Sequence, residues 1–422
     1  MEKVFKYFAA AAVLMSMSSL EMKAQGPTVT FDGLTYSLTT SSDPYDIKRT
    51  AILGECAKKG DVVVPDFIDV KDSDVLGQTT TRSEPYSWEG RYAVESEYGA
   101  FRNHRQDFTS IVLPKGMKSI TGFSDCQTLQ SVVLPDSIKD LGYYYFYNTW
   151  ALQSVNVPEG VVSLGERVFY QSGVSSVTLP STLETIANGA FEACRNLRSI
   201  EIPASVHTLD FGIFSNCDYL ETAKILCPIE VLPQGMFGKC GSLEYVELPN
   251  TIKTIGAGAF GSCAMLESIT LPKDLTVIEE TAFSYCHKLG EIDLPASLDS
   301  IGEKAFCDCN GLKLITCRAI IPPKATTFDT FSDWWGTDQK IYQNAVLEVP
   351  AESVSAYKSA PVWKNFSTIV PIGTTTGIRT NATLAESAET YNLNGMKVKG
   401  NSRGIAIKRQ SNGEVKKVFG NK

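Results

Sequence analysis

Phenylalanine recurs at Phe101, Phe123, Phe146, Phe169, Phe191, Phe214, Phe237, Phe260, Phe283 and Phe306, and every interval is 22 or 23 residues. A fixed period of this size marks a repeat array, in which one unit stacks on the next. Two further columns run in step with the first. Three residues after each Phe stand His104, Cys126, Thr149, Ser172, Cys194, Cys217, Cys240, Cys263, Cys286 and Cys309. A proline closes a short apolar alternation at Pro114, Pro135, Pro158, Pro180, Pro203, Pro228, Pro249, Pro272 and Pro295.

A typical unit is LETIANGAFEACRNLRSIEIP, Leu183 to Pro203, with one short strand at Ile200-Glu201-Ile202. Such a unit cannot enclose its own apolar face, so it must stack on its neighbours, and its columns become ladders. The expected fold is a repeat solenoid of leucine-rich-repeat type. It has a short parallel β-sheet on the concave side, an irregular or short-strand convex side, and a cap at each end. Ten or eleven coils about 4.8 Å apart predict a sheet roughly 50 Å long. The column phenylalanines belong to the scaffold, each ring buried between coils, and proline ends each strand because it cannot donate to the ladder.

The segments AFEAC, AFGSC and AFSYC (Ala190–Cys194, Ala259–Cys263, Ala282–Cys286), each followed by Leu-x-x-Ile-x-Leu/Ile-Pro, resemble the BspA-like family of bacterial leucine-rich repeats. The resemblance runs from residue 98 to 318. It implies a secreted or cell-surface protein of Bacteroidetes type that binds a ligand and carries no catalytic residues.

The rest of the chain divides around this array. Residues 1–24, with Lys3 and Lys6 before an apolar run from Phe8 to Met15, read as a signal peptide. Residues 25–65 read as an N-terminal cap and 66–97 as an irregular insertion. Residues 319–372 read as a C-terminal cap, with a short helix behind a proline and aromatics at Tyr357, Trp363 and Phe366. Residues 373–390, rich in Thr, Ala, Ser and Gly, read as a linker. The tail, 391–422, has strand candidates at Gly404–Lys408 and Val415–Phe419. It resembles a type IX secretion sorting module, the alternative being a small hairpin module with no sorting role.

The net charge of −8 conceals a basic tail, because eight Lys and Arg against Glu414 give 397–422 a charge of +7 and leave the remainder at −15. An acidic body without a basic groove argues against nucleic acid. The apolar run near the start is too short to span a bilayer, which needs roughly 20 residues. The expected partner is an extracellular protein or a glycan, with exported localisation.

No catalytic constellation emerges. The histidines His104, His207 and His287 pair with no nucleophile, and no phosphate-binding loop or zinc-protease helix occurs. No cofactor is expected. Seven of the 11 cysteines lie in the ladder, and Cys227 and Cys317 fall at the inward strand position. Side chains stacked in parallel cannot easily reach disulfide torsion, so buried free thiols are expected. A metal site at Cys307 and Cys309 is the sharper alternative, but no second ligand pair has zinc spacing.

Two surfaces could bind. Counting two residues back from each proline, the outward strand row reads Val112, Val133, Asn156, Thr178, Glu201, Leu226, Glu247, Thr270, Asp293, with Thr316 after them. It turns from apolar to acidic, and Glu201, Glu247 and Asp293 are its candidate ligand residues. The second surface is the aromatic cluster Tyr143, Tyr144, Tyr145, Tyr147 and Trp150, whose rings could stack on sugars or anchor a protein. Both support a non-catalytic extracellular adhesion protein binding host matrix protein, another cell or glycan. The alternatives are an accessory factor or hydrolase acting on extracellular polysaccharide, which would need paired carboxylates in a cleft, and a self-associating surface scaffold.

Overall fold

A computed structural model describes residues 61–64, 108–115, 117, 120, 122–325 and 327–375, the side chain of 328 excepted. It also gives the backbone of the strands Thr28–Phe31, Leu34–Thr40, Arg49–Cys56, Gly60–Val63, Phe67–Val70, Gly90–Ser96, Thr390–Tyr391, Ile405–Arg409 and Val415–Phe419. The signal peptide, most of the linker, Phe101 and His104 lie outside the described residues.

The array is a parallel β-solenoid of about 11 turns. Nearly every coil contributes a short strand to a front ladder, such as Ser199–Ile202 beside Thr222–Ile225, with Ile200 facing Ala223 and Glu201 facing Lys224. After a turn it adds a two-residue strand to a rear ladder, as in Thr185–Ile186 beside Thr208–Leu209. Alternate strand residues are buried, so that Ile200 and Ile202 point inward while Ser199 and Glu201 face out. The turn between the ladders is closed through the column proline, whose carbonyl accepts the N–H three residues on, as at Pro158 to Val161 (3.2 Å) and Pro203 to Val206 (3.2 Å).

The front ladder is not one continuous sheet but four hydrogen-bonded blocks. Front strands are only three to five residues long, and between Tyr245–Glu247 and Glu291–Leu294 the intervening coil, which carries Thr270, forms no strand at all. Coil stacking continues across the breaks, where Gln153 N–H donates to the Gln130 carbonyl at 3.1 Å and Gly290 N–H to the Glu267 carbonyl at 3.1 Å.

The core is organised by the predicted columns. From Phe123 to Phe306 consecutive rings stack face to face, with centroids 5.1–5.6 Å apart. The stack continues one coil further than the sequence column, to Phe331 at 5.3 Å. There Tyr342 and Phe366 meet it edge-on at 74° and 72° and end the series. The thiol column is also bonded between coils. Cys194, Cys217, Cys240, Cys263, Cys286 and Cys309 each donate Sγ–H to the phenylalanine carbonyl of the preceding coil at 3.0–3.2 Å. Every described cysteine side chain is a buried free thiol. Burial pushes Cys227 and Cys317 up to about 11 and the fully enclosed ladder thiols higher still.

Both ends of the array differ in detail from the sequence reading. Gly60–Val63, within the stretch read as a cap, pairs in parallel with Phe108–Val112 and is the first front-ladder strand. Phe67–Val70 and Gly90–Ser96 fall inside the stretch read as irregular. They join a five-stranded sheet with Thr28–Phe31, Leu34–Thr40 and Arg49–Cys56. At the other end Val346–Val349 and Thr368–Pro371 extend the front ladder by two strands. The closing helix Val354–Ser359 inserts Tyr357, whose hydroxyl donates to the Ala319 carbonyl at 2.8 Å. Trp363 Nε1–H donates to the Pro323 carbonyl at 2.7 Å. In the tail, Thr390–Tyr391, Ile405–Arg409 and Val415–Phe419 form an antiparallel sheet.

Candidate ligand-binding surfaces

The corner that carries the Phe column has two residues per coil in left-handed conformation. The first, two places before the Phe, is Tyr144, Arg167, Gly189, Gly212, Gly235, Gly258, Thr281 and Lys304 in successive coils, with φ between +53° and +64°. Each of the first seven donates its N–H to a carbonyl of the next coil, as Gly212 does to Gln234 at 2.9 Å. Glycine adopts this conformation freely, whereas another L-residue there costs about 1–2 kcal/mol. The four central coils use glycine; the coils on either side place bulky side chains at the same position.

At the N-terminal side those side chains build an aromatic patch. Tyr143 lies 4.1 Å from Tyr144 between ring centroids, and Tyr144 meets Tyr147 at 5.0 Å, both edge-on. Tyr147 stacks on Tyr170 at 5.7 Å with the rings 7° from parallel. The Arg167 guanidinium lies over the Tyr170 ring at 5.5 Å. Its Nη1 donates to the Tyr144 hydroxyl at 3.5 Å, and its Nε donates to Glu192 at 3.3 Å. Tyr143 and Trp150 are about 60% exposed.

Tyr145, one of the five sequence candidates, leaves this set. It is buried, edge-on to Phe123 and Phe146, because it stands immediately before Phe146 in the inward column that Val168, Ala190, Ile213 and Met236 fill in later coils. Its hydroxyl has no hydrogen-bond partner among the described residues, which adds a further local cost of about 1–3 kcal/mol. In its place the structure adds Arg167 and Tyr170, one coil on from Tyr144 and Tyr147. The 23-residue period applied to those two tyrosines would have found both.

The front row holds Val63, Val112, Val133, Asn156, Thr178, Glu201, Lys224, Glu247, Thr270, Asp293, Thr316 and Glu348. Leu226 is not in it: Lys224 faces both Glu201 and Glu247, because register is set by inward Ala223 and Ile225, not by proline. Pro228 stands two residues late, and the turn there closes from Ile229 N–H to the Cys227 carbonyl at 2.9 Å. For the same reason Cys227 is buried just beyond the strand, at whose inward position Ile225 stands, while Cys317 occupies its expected place. The acids are therefore interleaved with bases. Lys224 lies 3.9 Å from Glu201, and Arg318 makes a bidentate bond to Asp293, both distances 2.7 Å. At the opposite end Val63, Val112 and Val133 form an exposed apolar stripe. Among the described residues no His, Cys, Asp or Glu side chains gather into a metal-binding group, and no helix is long and apolar enough to cross a membrane.

A coiled stack of short parallel strands with aromatic and thiol ladders inside defines a leucine-rich-repeat solenoid. The sequence profile of the BspA type leucine rich repeat region matches residues 95–221 and 230–329 in six copies, more than half of the chain. The chain belongs to that family. The chain also has similarity, at low identity, to solved structures. One is a leucine-rich repeat protein from Bacteroides ovatus, 23% identical over 68% of this chain and 94% of its own, with a TM-score of 0.30. A leucine rich cell surface protein from Faecalibacterium prausnitzii is 20% identical over 81% and 97%, TM-score 0.41. The pneumococcal vaccine antigen PcpA is 18% identical over 82% and 98%, TM-score 0.46. No curated protein matches the chain.

Proposed function

We propose that this protein is exported and acts as a non-catalytic binding protein at or beyond the cell surface, adhering to a host matrix protein, another cell or a glycan. One observation carries the reading. Tyr144 and Arg167 hold left-handed backbone where the next four coils have glycine, and with Tyr143, Tyr147 and Tyr170 they form one contacting cluster, with Trp150 exposed further along the same coil. Strain kept at a surface, beside a buried phenol without a partner, is a departure from the repeat that stability does not explain and ligand contact does. Export is supported by the basic and apolar pattern of residues 1–24, and delivery to the outer surface by the tail at 391–422, which we read as a sorting module. Glu201, Glu247 and Asp293 form the secondary candidate surface, weakened by their basic neighbours.

The test is binding of the purified protein to arrayed matrix proteins and glycans, with a Tyr144→Ala/Trp150→Ala variant beside it. A saturable interaction lost in the variant supports the reading. Retention by the variant moves the site to the front row, and no binding by folded wild-type protein refutes the proposal.

A further inference from the structure

The corner that carries the aromatic patch has a second one at its far end. Tyr285 and Trp334 stack with centroids 5.9 Å apart, and the Lys304 ammonium lies 4.6 Å above the Trp334 ring. His287 meets Tyr285 edge-on at 6.0 Å. Trp335, next in the chain, is 82% exposed. The loop that presents it is braced from within. Asp333 accepts N–H bonds from Thr337 at 2.6 Å and Asp338 at 2.9 Å, and Trp334 N–H donates to Asp308 at 3.0 Å. These bonds fix the backbone on both sides of Trp335, so little backbone freedom is lost when its exposed ring meets a partner.

The two patches share a face. Inter-coil bonds along the corner place Thr281 in the column of Tyr144 and Arg167, and Cys307, beside Lys304 and Asp308, in that of Tyr147 and Tyr170. Between them the same columns hold Gly212, Gly235, Gly238, Gly258 and Gly261 with only the short Ser215 among them, a low floor that exposed Phe211 and Lys239 border. The Phe169 and Phe283 coils are five steps apart, roughly 24 Å at an inter-strand spacing of about 4.8 Å.

Resting on the binding function proposed above, we infer that the two patches are the ends of one site for an extended, uncharged carbohydrate chain lying along this corner. Its length is matched by the separation of the patches and its flat passage by the glycine floor. Aromatic faces flanked by mixed donors and acceptors, Arg167 and Glu192 at one end and Lys304 and Asp308 at the other, suit a polymer with apolar C–H faces and many hydroxyls. Mixed charge at both ends disfavours a polyanion. A peptide strand is disfavoured because the corner's N–H groups are already bonded from coil to coil, leaving no edge to extend.

The experiment measures binding of the full chain to an array of linear neutral β-glucans, mannans and xylans with their oligomers from disaccharide upward, alongside immobilised matrix proteins. Tyr144→Ala/Tyr147→Ala and Trp334→Ala/Trp335→Ala variants are run in parallel, with circular dichroism to confirm folding. Two-ended binding predicts that affinity rises steeply once an oligomer is long enough to span both patches. Either variant then loses about 100-fold or more on long chains while binding short ones at its intact end. Affinity that does not depend on length, or that the Trp334→Ala/Trp335→Ala variant leaves unchanged, overturns the inference. Binding to matrix proteins alone overturns the carbohydrate assignment and leaves the binding function standing; wild-type binding to neither refutes both.

Discussion

Mild alkali should unfold this protein well before ordinary side-chain titration would. Cys194, Cys217, Cys240, Cys263 and Cys309 are fully enclosed, and burial holds each thiol far above its ordinary range. In the unfolded chain a thiol ionises near 8.5. A thiol with a raised native pKa contributes its full stabilisation below that unfolded value and loses it as pH climbs towards the native one. Over this window the unfolded state sheds a proton that the native state keeps. Each thiol then loses about 1.4 kcal/mol between pH 7.5 and 9.5, so the five together lose about 7 kcal/mol, comparable to the whole stability of many domains. The assay is urea denaturation followed by circular dichroism at half-unit pH steps, under a reducing agent that excludes disulfide formation. Cys227, Cys307 and Cys317 are also raised and titrate over the same window, so Cys240→Ala removes one of eight titrating thiols and should reduce the pH slope by about one eighth. A midpoint that stays level between pH 7.5 and 9.5, or a slope that Cys240→Ala leaves unchanged, would refute the ladder as a set of enclosed protonated thiols.

Two further changes test the scaffold. Phe237→Ala removes a ring stacked on both sides, at 5.6 and 5.5 Å, and should cost about 3–5 kcal/mol by equilibrium unfolding. Thr281→Gly relieves a β-branched residue at φ +54° and should raise stability by up to about 1 kcal/mol, read as a higher urea midpoint, because the preceding coils already use glycine there.

The array was legible because its period reports contacts between coils rather than within them. A Phe every 23 residues is a ring stack written along the chain, and the column behind it is a set of donors to the preceding coil. Legibility failed where spacing changed. Phe331 continues the stack but stands 25 residues after Phe306, in a coil whose thiol position is Trp334, so neither neighbouring column announced it. Gly60–Val63 joins the front ladder across an interval of 48 residues, which no period of 23 suggests. Proline misled at Pro228 because it marks a turn, which can slide, whereas register follows the buried residues, which cannot. Of the aromatic cluster, the location was read but the inward member was missed, although the period marks it: Tyr145 precedes Phe146 in a column that Val168, Ala190, Ile213 and Met236 keep apolar and buried, and its likeness to the tyrosines beside it concealed that.

From the Phe169 coil to the Phe306 coil every junction is made the same way, by a ring on a ring, a thiol on a carbonyl and a left-handed N–H on the next coil. Any coil inside that run therefore has interchangeable neighbours, and only the ends are individual. A whole 23-residue unit could be gained or lost in the middle without redesign of either terminus. Such a change would alter overall length in steps of about 4.8 Å. Copy number is thus a dimension of this molecule that evolution can adjust in discrete increments, leaving the chemistry at each end untouched.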